Sequence, residues 1–151
     1  MLAIAAVVDV ALYARPTPVA AKSLAARHHL PPRHLEMLLQ GLVQANILKG
    51  VRGPRGGYEL ARQRHEITAG EIVRTALAMS AADPSKIGAS SKLLKKVIEP
   101  SVRKAGDGFL ANLDAVTVAD LCAEAVAARV FDDDPNPPAL SSSRKTATGW
   151  A

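Results

Sequence analysis

Arg52 and Arg55 stand in the run Val51-Arg52-Gly53-Pro54-Arg55-Gly56-Gly57-Tyr58. A guanidinium presents planar, permanently charged donors that suit phosphate oxygens. The run lies between two short apolar stretches, Ile47-Leu48 and Tyr58-Leu60, and its Gly and Pro content reads as the turn of a β-hairpin. Glycine turns the backbone sharply at little steric cost, leaving both arginines at a narrow tip. Such a basic finger suits a phosphate backbone or a minor groove. From these eight residues alone an ordinary polar hairpin is equally good; the preceding elements decide. The other chemically able residues are sparse. His28, His29 and His34 lack the i, i+4 pair of a helical metal site, so no metal ligands are assigned. Asp9 reads as a capping or charge-paired group. Cys122 has the apolar neighbours Leu121, Ala123 and Val126 and reads as a buried, inert thiol, with a redox switch as the alternative. No phosphate-cradling loop, nucleophile elbow or carboxylate pair occurs, so no catalytic residues are assigned and an enzyme is not expected.

The elements that position the finger follow from periodicity. Met1 to Ala14 is apolar on nearly every face and predicts a buried helix. It has no basic leader, is interrupted by Asp9 and is too short to span a bilayer, so neither a signal peptide nor a membrane span is expected. Thr17 is placed to cap a second helix, Val19 to Arg27, with Pro18 at its first position and Ala21, Leu24 and Ala25 on one face. After His28-His29-Leu30-Pro31 a third helix, 32–46, carries Leu35, Leu38, Leu39, Leu42 and Val43 at helical spacing. Its other face holds Arg33, His34, Glu36, Met37 and Gln40. Thr68 to Glu71 fits a capping box for a fourth helix with Ile72, Val73 and Leu77 as its apolar face. A small-residue linker, 81–91, precedes an apolar stripe through Leu94, Ile98, Val102, Ala105, Phe109 and Leu113, with a break expected at Glu99-Pro100. Thr117 begins a last helix to about Val130. Residues 132–151, rich in Pro, Ser and Asp, read as a disordered tail.

Charge is distributed unevenly along the 151 residues. Residues 1–80 hold ten Lys/Arg against five Asp/Glu, whereas residues 81–151 hold nine of each. All four histidines lie in the first part. The excess of positive charge therefore sits with the hairpin and points to a polyanion such as double-stranded DNA. Aromatic residues make up only 3% of the chain, so Ala, Val and Leu must fill the core, which favours helices. A single cysteine excludes an intrachain disulfide and fits a reducing cytoplasm.

Two helices joined by a short turn, the second with a polar outer face, describe a helix-turn-helix, and a hairpin directly after makes it winged. The fold class is thus mainly α with a small β-hairpin: a winged helix-turn-helix domain over 1–80, and a segment 92–131 with a long helix and a terminal helix. The second helix of the pair suits a major groove, Arg33 as a donor to guanine and Glu36 as an acceptor from cytosine. The DNA-facing set is Arg33, His34, Glu36 and Gln40 on the helix, and Arg52, Gly53, Arg55, Gly56, Gly57 and Tyr58 on the wing. Lys22 and Lys49 are added as phosphate contacts.

Three stretches carry a family resemblance: Leu35-Glu36-Met37-Leu38-Leu39-Gln40, Leu42 to Leu48, and Val51 through the Gly56-Gly57-Tyr58 triplet to Ala61. With Glu66-Ile67-Thr68 and Phe109 to Leu121, they resemble the Rrf2 family of bacterial transcription regulators. The resemblance implies a homodimer on a near-palindromic operator, acting as a repressor, with the helix near 100–114 crossing its partner copy. Val102, Ala105, Phe109, Leu110 and Leu113 are the implied dimerisation residues. Many members bind an iron–sulfur cluster through three cysteines between the wing and the dimer helix. Here Ala81 to Lys104 has none, so no cofactor is expected. Members also carry a short basic stretch before the first helix, which this chain lacks, so either the start lies upstream or some phosphate contacts are missing. Arg55 replaces a frequent glycine and adds charge to the wing. Two further readings compete: a winged-helix protein–protein module, and a thiol-based regulator using Cys122.

Overall fold

The computed structural model describes residues 1–81, 93–131, 134, 137 and 138; the side chains of Pro32, His34, Ala81, Leu94 and Lys95 are outside that description. The first element, α1 (Leu2–Tyr13), buries Ala3, Ala6, Val7, Val10, Ala11 and Leu12, as its all-round apolar sequence requires. Its one charged residue, Asp9, is buried too, and is held by the Arg27 guanidinium, whose Nε lies 2.8 Å from Oδ2. His28 Nε2 lies 3.2 Å from the same oxygen, off the line of a good hydrogen bond. Arg27 is also stacked on Tyr13, its Cζ 4.1 Å from the ring centre. Asp9 is therefore a paired charge, as its sequence context suggested.

The second helix, α2, spans Ala21–Arg27 and begins two residues later than its sequence implies. Thr17 and Pro18 do not start it. Val19 is instead drawn into a bridge with the hairpin: its N–H donates to Tyr58 O at 3.0 Å, and the Tyr58 N–H donates to Val19 O at 2.8 Å. A residue making both bonds is extended and cannot also be helical. The turn after α2 closes through His29 at φ 51°, with Leu30 N–H donating to Ala25 O. Then α3 (Pro32–Gln44) starts on a proline at its first position and buries Leu35, Leu39 and Leu42 completely. Asn46, at φ 56°, ends it in the left-handed conformation, and Ile47 N–H reaches back to Leu42 O.

The hairpin follows at once. β1 (Leu48–Val51) pairs antiparallel with β2 (Gly57–Leu60), with Leu48 opposite Leu60 and Val51 opposite Gly57. Gly53, at φ 121°, is the turn position that requires glycine. Gly57 is needed for a different reason: a β-carbon there would lie 2.3 Å from Val19 O. Its missing side chain is what lets the Val19 backbone approach.

A 3₁₀ turn (Arg64–Glu66) leads into α4 (Ala69–Ala81). Thr68 Oγ1 accepts from Glu71 N–H at 3.1 Å, one half of the expected capping box; the Glu71 carboxylate is paired with Arg62. Ile72 is buried on α4, but Leu77, expected on the same face, is 55% exposed. A π-helical turn (Leu94–Ile98) runs directly into α5 (Glu99–Asp114). The expected break at Glu99-Pro100 is thus a change of helical pitch, with Pro100 in the first turn of α5, where a missing N–H costs least. Finally α6 (Val118–Ala127) is capped reciprocally by Thr117 and Asp120, and the Thr117 hydrogen bonds hold the Asp120 carboxyl below its usual range. Arg129 at φ 53° closes α6 short of Val130.

The core is continuous. Val118 and Cys122 of α6 are buried with Val7 and Val10 of α1, so the last helix folds back onto the first. Two backbone bonds lock this return: Ala69 N–H to Val116 O at 2.8 Å and Val118 N–H to Ile67 O at 2.9 Å. The Arg74 guanidinium grips Asp114 through its two terminal nitrogens, at 2.7 and 2.5 Å, and holds its carboxyl below the usual range. Residues 82–91 of the expected linker lie outside the described residues, as does most of the expected tail. At the tail's start the Tyr13 hydroxyl donates to Asp134, and Phe131 packs edge-on against the Tyr13 ring. Burial and the Asp134 carboxylate push the Tyr13 hydroxyl well above its ordinary range.

Gly57→Ala should destabilise the protein by about 1–3 kcal/mol in urea unfolding, because the methyl group must displace backbone. Gly50→Ala, where a β-carbon meets nothing within 4 Å, should leave the midpoint nearly unchanged. Equal effects of the two would refute the close-approach argument.

Candidate nucleic-acid interface

The polar face of α3 is a consequence of its core face. Leu35, Leu39 and Leu42 turn one side inward, which leaves Arg33, Glu36, Met37 and Gln40 exposed on the other. At 3.6 residues per turn Arg33, Glu36 and Gln40 fall on one stripe. Met37 stands beside them at 72% exposure, an apolar group of the kind that meets a thymine methyl. His34 lies on α3, but its side chain is outside the described residues.

The hairpin stands next to this face. Arg52 and Arg55 are both exposed at its tip, and no carboxylate among the described residues pairs with either. Lys49 differs: it faces Glu59 directly across the two strands, with Nζ 3.1 Å from Oε2, so part of its field is spent within the hairpin. Lys22 is exposed on α2. The glycines and Tyr58 have distinct jobs. Gly53 makes the turn, and Gly56 and Gly57 admit close backbone neighbours. Tyr58 fixes the hairpin to Val19 by its backbone and lines a recess with Gln40, Val43, Gln44 and Gly50. The structure therefore sets the base of the hairpin, at Gly50 and Tyr58, beside Gln40 on the polar side of α3, and leaves Arg52 and Arg55 exposed at the hairpin's tip.

Sequence reasoning missed the residues that brace this arrangement. Arg62 donates to Asn46 O at 3.1 Å and Glu66 O at 3.3 Å while holding Glu71, and so joins the end of α3 to the start of α4. Arg64 donates to Ala11 O at the end of α1. The only signal in the sequence is an Arg-x-Arg pair after the hairpin, which local pattern cannot distinguish from surface charge.

The implied dimerisation residues divide. Val102 is 65% and Phe109 51% exposed, and Ala105 is exposed on the same stripe; Leu110 and Leu113 are half-buried. No residue of α5 is fully buried, and Leu93, Val97 and Ile98 continue the exposed apolar surface before it.

A sequence model of the Rrf2 family, described as an iron-dependent transcriptional regulator, matches residues 1–124. The HTH-type transcriptional regulator slr0846 of Synechocystis is 35% identical over 117 residues, 77% of this chain and 79% of that protein. The transcriptional regulator IscR of Vibrio campbellii is 35% identical over 71 residues, which span 47% of this chain and less than half (42%) of that relative. Among solved structures, T. potens IscR superposes with a TM-score of 0.64 at 31% identity, covering 84% of this chain and 85% of that one. CymR, the global cysteine regulator of B. subtilis, gives 0.58 at 27% identity over 81% of this chain and 91% of its own. These likenesses confirm the mainly helical, winged-helix architecture.

An iron–sulfur cluster does not fit the residues present. Such clusters need several thiolate ligands, and the chain has one cysteine. Cys122 is buried on α6, and no group of three His, Cys, Asp or Glu among the described residues could hold a metal. Burial pushes the Cys122 thiol up, against the weaker pull of Arg64.

A raised thiol pKa leaves little thiolate at neutral pH. A disulfide reagent such as DTNB should therefore label Cys122 slowly in the native protein and quickly once urea unfolds it. Rapid native labelling would contradict the inert-thiol assignment and reopen a redox role.

Proposed function

The chain belongs to the Rrf2 family of transcription regulators, and we propose that it is a homodimeric repressor that binds a near-palindromic DNA operator through α3 and its wing, without an iron–sulfur cluster. One observation carries this reading: Arg52 and Arg55, free of carboxylates among the described residues, are exposed at the tip of a hairpin whose Gly50 and Tyr58 share a recess with Gln40 of α3. A helix face that can enter a major groove and a basic finger that can follow the backbone are the two parts a winged reader needs. The relatives are transcriptional regulators, which supports a regulator rather than an enzyme. No helix among the described residues is long and apolar enough to cross a membrane, and the proposed site of action is the cytoplasm.

In this reading Arg33, Glu36 and Gln40 contact base edges, and Arg52, Arg55, Lys49 and Lys22 contact phosphates. His34, at the start of α3, belongs to the same set, and Gly53, Gly56, Gly57 and Tyr58 shape the wing. Residues 1–80 form the reading head, 81–91 the link, 92–131 the pairing segment and 132–151 a tail. The exposed stripe of Val102, Ala105 and Phe109 supports pairing with a second copy, since α5 otherwise leaves large apolar side chains in water. Two-fold pairing would set two reading helices about 34 Å apart, one turn of duplex.

Arg52→Ala should weaken operator binding and lower the slope of log K against log salt by about 1.8, because each subunit of the dimer then neutralises one phosphate fewer. An unchanged slope in a fluorescence-anisotropy salt titration would remove the wing from the interface. Separately, Phe109→Glu should shift the protein from dimer to monomer in analytical ultracentrifugation with its circular dichroism unchanged. A dimer that persists would place the interface elsewhere.

A further inference from the structure

A cleft of about 530 Å³ opens between the end of α1, the base of the wing and the start of α6. Its size is that of small-ligand pockets. Four of its lining residues can carry positive charge: Arg15, Arg62, Arg64 and His65. The carboxylates near it are already engaged. Glu59, on its wall, is paired with Lys49, and Glu71 takes up Arg62. Arg64 spends one donor on the neutral carbonyl of Ala11, and the rest of its five N–H groups have no partner among the described residues. The side chains of Arg15 and His65 are exposed and have no partner among the described residues. Two guanidinium charges and an imidazole thus border one cavity with no carboxylate of their own. The remaining wall is Gln63 together with the apolar Val10, Ala11, Ala14, Leu60 and Ala119.

We propose that this cleft binds a small organic anion, a carboxylate or phosphate group carried on a compact apolar body. Arg15 and Arg64 meet the anion, His65 adds a donor, and the aliphatic wall covers the body. The cleft shares no lining residue with α3, with the wing tip or with the recess that Tyr58 forms beside Gln40, so DNA held by α3 and the wing would leave it open. Its walls belong to three elements that share one core, so an occupant ties the wing base to α1 and α6 at once.

The test is a titration of the isotope-labelled full chain with benzoate, inorganic phosphate and neutral benzamide, following the backbone amides of Leu60, Gln63 and Ala119 by NMR. Saturable shifts with benzoate or phosphate, and none with benzamide, are expected. Arg15→Ala should weaken that binding about tenfold, as removal of one charge-assisted hydrogen bond implies, and Arg15→Lys should recover most of it. The Arg15 side chain is exposed and unpaired among the described residues, so its removal leaves the fold intact. No saturable shift with either anion, an equal response to benzamide, or unchanged binding by Arg15→Ala would each overturn the proposal. The measurement uses no DNA, so its failure leaves the operator-binding proposal standing.

Discussion

The two hydrogen bonds between Val19 and Tyr58 fix where the wing stands. A lone two-stranded hairpin is marginally stable in water and free to swing. Here its second strand is stitched to the segment before α2, and three residues separate its first strand from the end of α3. The wing is thereby held from both ends of the helix pair. That stitch is possible only because Gly57 has no side chain where the Val19 carbonyl passes. Arg52 and Arg55 thus stand at the tip of a hairpin whose base is held by a contact that involves neither of them.

The sequence makes this half visible. Leu35, Leu39 and Leu42 at helical spacing place α3 and its outer face, and Ile47-Leu48 with Tyr58-Leu60 place the strands. Those patterns are local, so they can be read along the chain. The start of α2 could not be. Thr17-Pro18 is a good helix start, but Val19 is extended because a residue almost forty positions later needs its backbone. Long-range pairing overrode local preference, and Gly57 looked like turn chemistry when it serves that pairing. Arg62 and Arg64 were hidden for the same reason: their acceptors are carbonyls of Asn46, Glu66 and Ala11, and a carbonyl leaves no mark in sequence. The apolar stripe of Val102, Ala105 and Phe109 was legible, yet the periodicity alone reads as core. In the structure those residues are exposed, so the stripe is not part of the core of the described residues.

The return of α6 determines how α5 is carried. Val118 and Cys122 sit in the α1 core, and the strand-like crossing of Thr68 and Thr117 brings the end of α5 against the start of α4. Gly70 allows this approach, since a β-carbon there would meet the Asp114 carboxylate at 2.0 Å. The Arg74–Asp114 pair then closes over the joint. An exposed pair of this kind adds little stability on its own. Its bidentate geometry instead restricts the angle at which α5 leaves the domain.

Asp9 shows how a single charge can organise an apolar helix. A carboxylate in the middle of α1 costs free energy unless it is matched, and Arg27 matches it through two hydrogen bonds. The same guanidinium lies over the Tyr13 ring, and Tyr13 in turn meets Phe131 and Asp134 beyond α6. One buried charge thus sets the rotation of α1 against α2 and aligns the aromatic that receives the chain leaving α6. Replacing the pair by apolar residues could preserve the burial of α1. It would remove the directionality, because an aliphatic contact does not specify which face of Tyr13 is covered. The polar contact is better explained by orientation than by stability, and the helix pair that presents α3 depends on that orientation.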